Sequence, residues 1–341
     1  MIFWQVTIIL TCTALDVGGG KIQSVVQIHN GQDAKPHSHP WLLNLGMLGK
    51  NDKPQHECGA SLLAVPYLDQ ASDIAVTAAH CIPCSLKDYI KDYYVLASNH
   101  DQEMEDRGET TAQVTSGLCH PGWIPKERSS LNDIALIKLA EPLNFTDTIQ
   151  PIKLANPDHE LLKGTICTVA GWGRTKLDEL EKAKILQEIN ITISDPSECT
   201  GFSIKNYTEE SMICQIVLAD AKHALKGDSG SALVCQEDGE KILFGIVSGA
   251  YPVEIIKAGI FTKISHFRKW IDKRDKVQRV AHIYNGQDAE PRTNLIRVPY
   301  LDGPSDIAIT AAHCVKPCGD NTDWFKQFYV LASNHDLQIE G

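Results

Sequence analysis

Beyond its first residues the sequence has no apolar run of the ~20 residues needed to span a bilayer, so no membrane anchor is expected. It has no Lys/Arg block, and 32 basic against 43 acidic residues give a formal net charge of −11, so no nucleic-acid partner is expected. Helical periodicity is scarce. No Cys/His spacing matches a zinc site, and neither metal nor cofactor is expected. What is plentiful is Gly, Pro and short β-branched runs, the signature of an all-β fold. With 341 residues, 43% hydrophobic and 22% charged, the chain can fill one large domain or two medium ones.

The leader MIFWQVTIILTCTALDVGGG holds an apolar run over 2–14, the length of a signal-peptide core, although no basic residue lies near Met1. Residues 1–18 read as a signal peptide, with a buried first strand as the alternative, and 19–27 as a short propeptide. Of 11 cysteines, Cys12 leaves with the signal, eight lie between Cys58 and Cys235, and Cys314 and Cys318 lie in the tail. An even set in an exported domain reads as disulfides, and eight cysteines allow 105 pairings. Asn144, Asn190 and Asn206 open N-x-Thr glycosylation triplets, which fit export.

From residue 28 to about 270, short apolar runs alternate with turn residues. WLLNL (41–45), ASLLAV (60–65), IALIKL (134–139), ICTVAGWG (166–173), SALVC (231–235) and LFGIVSG (243–249) have strand lengths. SHFRKWIDKR, from Ser265, reads as a late helix with Ser265 as N-cap and Phe267, Trp270 and Ile271 on one packing face. From about 281 the text restarts. AHIYNGQDAEP echoes VQIHNGQDAKP, and PYLDGPSDIAITAAHC (299–314) echoes PYLDQASDIAVTAAHC (66–81). This period is of domain size rather than solenoid size.

GDSGS (227–231) occurs once. A serine hydroxyl is a poor nucleophile until a base takes its proton, and flanking glycines let consecutive N–H groups converge on one oxygen. His80 in TAAHC supplies a base of suitable pKa. Asp133, at the head of an apolar strand, can fix the imidazole tautomer. His100, His120 and His223 lack such a context and read as surface or pocket residues.

In the order His80, Asp133, Ser229, with GWG at 171–173, the Lys-Trp helix and the opening Ile28-x-x-Gly31, the chain resembles the trypsin/chymotrypsin family of serine proteases over about 28–275. The resemblance implies two six-stranded antiparallel barrels with the triad in the cleft between them. It implies catalysis by His80, Asp133 and Ser229, and an oxyanion hole from the N–H groups of Gly227 and Ser229. Of the 105 pairings it selects Cys58–Cys81, Cys167–Cys235 and Cys199–Cys214. Cys84 and Cys119 remain and are expected to bond to each other. A further family bridge is missing, since Leu225 stands where one of its cysteines is usual.

The resemblance also implies a zymogen switch in which a freed Ile28 ammonium pairs with buried Asp228. The preceding residue is Gln27, so activation by a trypsin-like cut is not expected. In the substrate pocket His223 stands at the base, with Ser248, Ala250 and Gly259 along the walls. A histidine there does not attract Lys or Arg, so no trypsin-like preference is expected. The expected protein is therefore a secreted, extracellular, monomeric serine endopeptidase acting on proteins or peptides, with protease inhibitors among its candidate partners. The alternative is an inactive homologue serving as a secreted binding or decoy protein. Residues 28–276 form the protease domain, and 277–341 read as an incomplete copy of its first barrel.

Overall fold

The computed structural model describes residues 31–49, 54–84, 89–125, 130–174, 181–201, 206–218, 227–253, 256–273, 294–297 and 306–309. The chain divides into two units, Met1–Lys276 and Val277–Gly341. Among the described residues the earliest element of the first unit is a two-residue strand, β1 (Gln32–Asp33). Six strands then close a barrel in the order β2-β3-β4-β7-β6-β5: β2 (Leu42–Leu48), β3 (Pro54–Leu62), β4 (Ala71–Thr77), β5 (Tyr93–Ala97), β6 (Thr110–Cys119) and β7 (Ala135–Asn144). Leu43, Leu45, Leu62, Val95, Val114, Ile137 and Leu139 fill it.

β4 is buried along its whole length, so both faces are covered and its apolar residues run on without alternation. Its one acid, Asp73, is satisfied by the Tyr67 hydroxyl (2.6 Å) and the Lys138 ammonium (2.5 Å), as a buried carboxylate requires. Tyr67 and Asp73 both belong to the repeated PYLD…SDIA phrase, which thus closes its own loop.

A short β8 (Lys153–Leu154) leads to the second half: β9 (Ile166–Gly171), β10 (Gln187–Thr192), β11 (Met212–Leu218), β12 (Ala232–Glu237), β13 (Glu240–Val253) and β14 (Ile256–Lys263). These pair in the order β10-β9-β12-β13-β14-β11, with β1 added beside β10 and β8 lying parallel to β13. The expected all-β fold in two antiparallel halves is found: the first closes as a barrel, and in the second no ladder joins β10 to β11 among the described residues. Ser194, just after β10, bridges the gap: its N–H donates to Cys214 O (3.1 Å), and its hydroxyl accepts from Ile216 N–H (2.8 Å).

The late helix covers 264–273, so Ser265 lies inside its first turn rather than capping it. Phe267 and Ile271 are buried as expected, and the His120 ring stacks edge-on against Phe267 and Trp270. His120 is therefore a packing residue. His100 is half-buried, and burial holds its imidazole below the usual pKa.

All four expected disulfides form: Cys58–Cys81, Cys84–Cys119, Cys167–Cys235 and Cys199–Cys214. Cys167 and Cys235 face each other across the β9–β12 ladder. Among the described residues no helix is long and apolar enough to cross a membrane.

In the second unit, β15 (Asn294–Arg297) pairs antiparallel with β16 (Asp306–Ile309). Leu295 opposes Ala308 there as Leu62 opposes Ala75 in the first unit, each number raised by 233 (295 − 62 = 308 − 75 = 233).

Cys84–Cys119 closes a 35-residue separation just beyond the His80 turn. Replacing both cysteines by serine is expected to lower stability by about 3–4 kcal/mol, read as a shift of the urea midpoint.

Candidate active site

β4 ends at Thr77 and runs into a 3-10 turn, Ala79–Cys81, which carries His80. Cys58–Cys81 fastens that turn to β3. Asn132, in the left-handed region at φ 52°, bends the chain just before β7, and its side-chain amide donates to Gly122 O (2.7 Å). The bend turns Asp133 inward, where it is 1% exposed. Its carboxylate accepts from the His80 backbone N–H (3.0 Å), from His80 Nδ1 (2.7 Å) and from the Ser248 hydroxyl (2.6 Å). Three donors thus converge on one buried carboxylate. The ring contact commits His80 Nδ1 to Asp133, which leaves Nε2 as the ring atom that can act as a base.

The 227–231 segment is held by its own backbone. Ser229 O accepts from Gly59 N–H (2.8 Å), Gly230 N–H donates to Val247 O (2.8 Å), and Ser231 N–H donates to Asp228 O (3.0 Å). Gly230 has φ +81°, and a Cβ there would lie 2.2 Å from Gly59 O and 2.3 Å from the Thr77 hydroxyl. This close approach packs the Ser229 loop onto the strands that lead to His80. Gly227 has φ +105°. Among the described residues, the N–H groups of Gly227 and Ser229 donate to no acceptor, which leaves both for a bound oxygen.

Asp228 is fully buried and accepts from Gly173 N–H (2.9 Å). The GWG motif is explained by this packing. A Cβ on Gly171 or on Gly173 would come within 2.5 Å of the Asp228 carboxylate. Trp172, between them, is buried and donates its indole N–H to His100 O (3.1 Å).

His56 was not legible as a site residue, because it sits mid-strand in β3 without a motif. Its imidazole stacks edge-on against Trp172, with Nε2 2.8 Å from Gly227 O and Nδ1 2.9 Å from the Asn44 amide. Burial first, then the nearby Lys182 ammonium, lowers its pKa to about 3, against the hydrogen bond to Gly227. The ring is therefore neutral. Nε2–H donates to Gly227 O, while Nδ1 faces Asn44 Oδ1, whose amide N–H donates to Asn99 Oδ1 (3.4 Å). His56 thereby pins the start of the 227–231 loop.

Other expected positions fall as follows. The Ser248 hydroxyl is directed at Asp133 and supports the His80 partner. Ala250 and Gly259 oppose each other on β13 and β14. His223, Leu225, Ile28, Gln27, Cys314 and Cys318 lie outside the described residues. Asn144 and Asn190 are exposed and Asn206 is half-buried. Cys58, His80 and Cys81 cluster as potential metal ligands, but both sulfurs are spent in one disulfide, so the trio is no metal site.

Residues 28–271 match the trypsin family model. The chain is similar to mouse Kallikrein-11, 32% identical over 78% of this chain and 89% of that protein. It is also similar to human Granzyme H, 30% identical over 73% of this chain and 92% of that protein. Bovine Duodenase-1 is 30% identical over 72% of this chain and 88% of its own length. The chain belongs to the trypsin family of serine endopeptidases, which are hydrolases.

Two outcomes follow from the loop's surroundings. His56 binds no proton in the fold until about pH 3, but binds one near pH 6.5 when unfolded. Unfolding therefore takes up a proton between those values, so stability falls as pH drops through that window, by about 1.4 kcal/mol per unit at most. Urea titrations at pH 4, 5, 6 and 7 should show this component, and His56→Gln should remove it. The Ser231 hydroxyl is buried with no partner among the described residues. Ser231→Ala should raise stability by about 1 kcal/mol, read as a higher urea midpoint.

Proposed function

We propose that this chain is a secreted endopeptidase that hydrolyses peptide bonds in protein substrates through His80, Asp133 and Ser229. The observation that carries the reading is the 2.7 Å contact from His80 Nδ1 to fully buried Asp133, beside a glycine-flanked serine loop with two unspent N–H groups. Fold stability alone does not call for that combination.

In this mechanism Ser229 Oγ attacks the scissile carbonyl carbon while His80 Nε2 takes its proton. The oxyanion is held by the N–H groups of Gly227 and Ser229. His80 then gives the proton to the leaving amine, and water repeats the sequence on the acyl-enzyme. Asp133 stays ionised throughout and stabilises the imidazolium. The reaction requires no cofactor.

Residues 1–18 act as the signal peptide and 19–27 as the propeptide. Four disulfides support an oxidising, exported destination. Ile28, once freed, pairs its ammonium with Asp228, a buried carboxylate that a cation stabilises. Residues 277–341 are an incomplete copy of the first barrel, a reading supported by the 233-residue offset of matching hairpin registers.

Fluorophosphonate labelling, with the N-terminus sequenced on the same sample, tests the reading. Label on Ser229 in protein beginning at Ile28 is the expected result, and its absence there would sink the proposal in favour of a binding protein. Ser229→Ala should abolish labelling, and Asp133→Asn should lower kcat by about 10⁴-fold by releasing the wrong His80 tautomer.

A further inference from the structure

We infer that Asn190 carries an N-linked glycan, and that its first N-acetylglucosamine seats in the cleft between β10 and β11, where it covers an open sheet edge. The inference rests on the export part of the reading above and not on its catalytic part.

The cleft follows from the missing ladder in the second half. At Ser194 the two strands meet, through Ser194 N–H to Cys214 O and Ile216 N–H to the Ser194 hydroxyl. Away from that bridge they leave a cleft of about 360 Å³, the size of a small ligand site. All of its walls lie among the described residues. Asn190 and Thr192 line it from β10, and Ile216 and Val217 from β11. Lys163 and Glu198, paired at 2.5 Å, add charge to the lining.

The β10 edge is unpaired here. On the β9 side, Ile193 N–H donates to Thr165 O and Ile193 O accepts from Gly164 N–H. By the alternation of an antiparallel ladder, Asn190 and Thr192 turn their N–H and C=O groups the other way, as Ser194 does. β1 pairs along that edge only at Gln187 and Glu188. Among the described residues no backbone group answers Asn190 or Thr192 on this side. An open edge of this kind is a template for stray strand pairing unless something covers it.

The residues at the edge identify the cover. Asn190-Ile191-Thr192 is an N-x-Thr acceptor triplet, and both its asparagine and its threonine line the cleft. Asn190 Oδ1 accepts from the Thr168 hydroxyl (3.2 Å), which turns Nδ2, the atom that bears a glycan, away from that contact. Ile166 opposes Thr192 on the same face of the sheet and is 64% exposed. The site thus joins apolar Ile166, Ile216 and Val217 to hydroxyl, amide and charged groups. A pyranose ring matches this mixture, since it has C–H groups on its face and hydroxyls around its rim.

The donor is a lipid-linked oligosaccharyl diphosphate of the export route. The bond from its anomeric carbon to the diphosphate oxygen breaks, and a bond from that carbon to Asn190 Nδ2 forms. Nδ2 gives up one proton, which leaves with the diphosphate.

The test uses the full chain secreted from cells that attach oligomannose glycans. Peptide:N-glycosidase F in heavy-oxygen water marks each occupied asparagine as a labelled aspartate in the peptide map. Label at Asn190 is expected, and unlabelled Asn190 in secreted protein overturns the modification. Seating is read by hydroxyl-radical footprinting. Endoglycosidase H leaves only the first sugar, and oxidation of Ile166 should then stay as low as in the untrimmed protein. It should rise severalfold when peptide:N-glycosidase F strips that sugar from the folded protein, and equally in Thr192→Val, which keeps the strand but removes the acceptor triplet. Asn144→Gln should leave it unchanged. Equal oxidation of Ile166 with and without the first sugar overturns the seating. If the chain stays inside the cells with no triplet occupied, the export reading falls, and this inference with it. Fluorophosphonate labelling of Ser229 does not depend on the sugar and judges the catalytic reading separately.

Discussion

Asp133 is a carboxylic side chain at 1% exposure, and so much of the surrounding structure serves it that the site can be read outward from it. An ionised carboxylate out of water needs several donors. Two come from His80, its backbone N–H and its ring, and one from Ser248 in the other half of the protein. Thr262 on β14 also donates its hydroxyl to the Asp133 carbonyl (2.8 Å). Asp133 thus acts as a joint between the halves as well as an orienting group. The same contacts that make its burial tolerable place the imidazole of His80.

A second buried carboxylate organises the loop opposite. Asp228 is admitted only because Gly171 and Gly173 have no side chains, and Gly173 answers it with an N–H. His56 holds the preceding carbonyl from the first barrel's β3. Both barrels therefore shape the segment in which the N–H groups of Gly227 and Ser229 stay unspent. Backbone geometry sets this feature, so the side-chain changes Ser231 and Ala232 leave it intact. Ser231 even brings a buried hydroxyl without a partner beside Gly59, a local inefficiency that the loop tolerates.

The motifs TAAHC, NDIAL, GWG and GDSGS were legible because each packs its constraint into a few consecutive residues. The strand-length apolar runs were legible for a similar reason and correspond to β2, β3, β7, β9, β12 and β13. β6 and β10 were not, since their outward residues are polar and break the runs. β4 was hidden inside the repeated phrase, where Asp73 interrupts the apolar residues and is answered by Lys138, 65 positions away. His56 escaped because it is a buried polar side chain whose meaning lies in a carbonyl of a distant loop, that of Gly227, and no local spacing announces such a partner.

The repeated phrase separates these two kinds of information. β15 and β16 adopt the register of the β3–β4 hairpin, because that pairing is written in the hairpin's own residues. The chemistry is written elsewhere. His80 is oriented by Asp133, 53 residues on, and Asp133 in turn is met by Ser248, 115 residues further still. His313 stands in a TAAHC of its own. The phrase reproduces that histidine's flanking residues, while the carboxylate that holds His80 lies outside the phrase altogether. Duplicating the motif duplicates a piece of fold, whereas the active site is a property of contacts that the phrase does not contain.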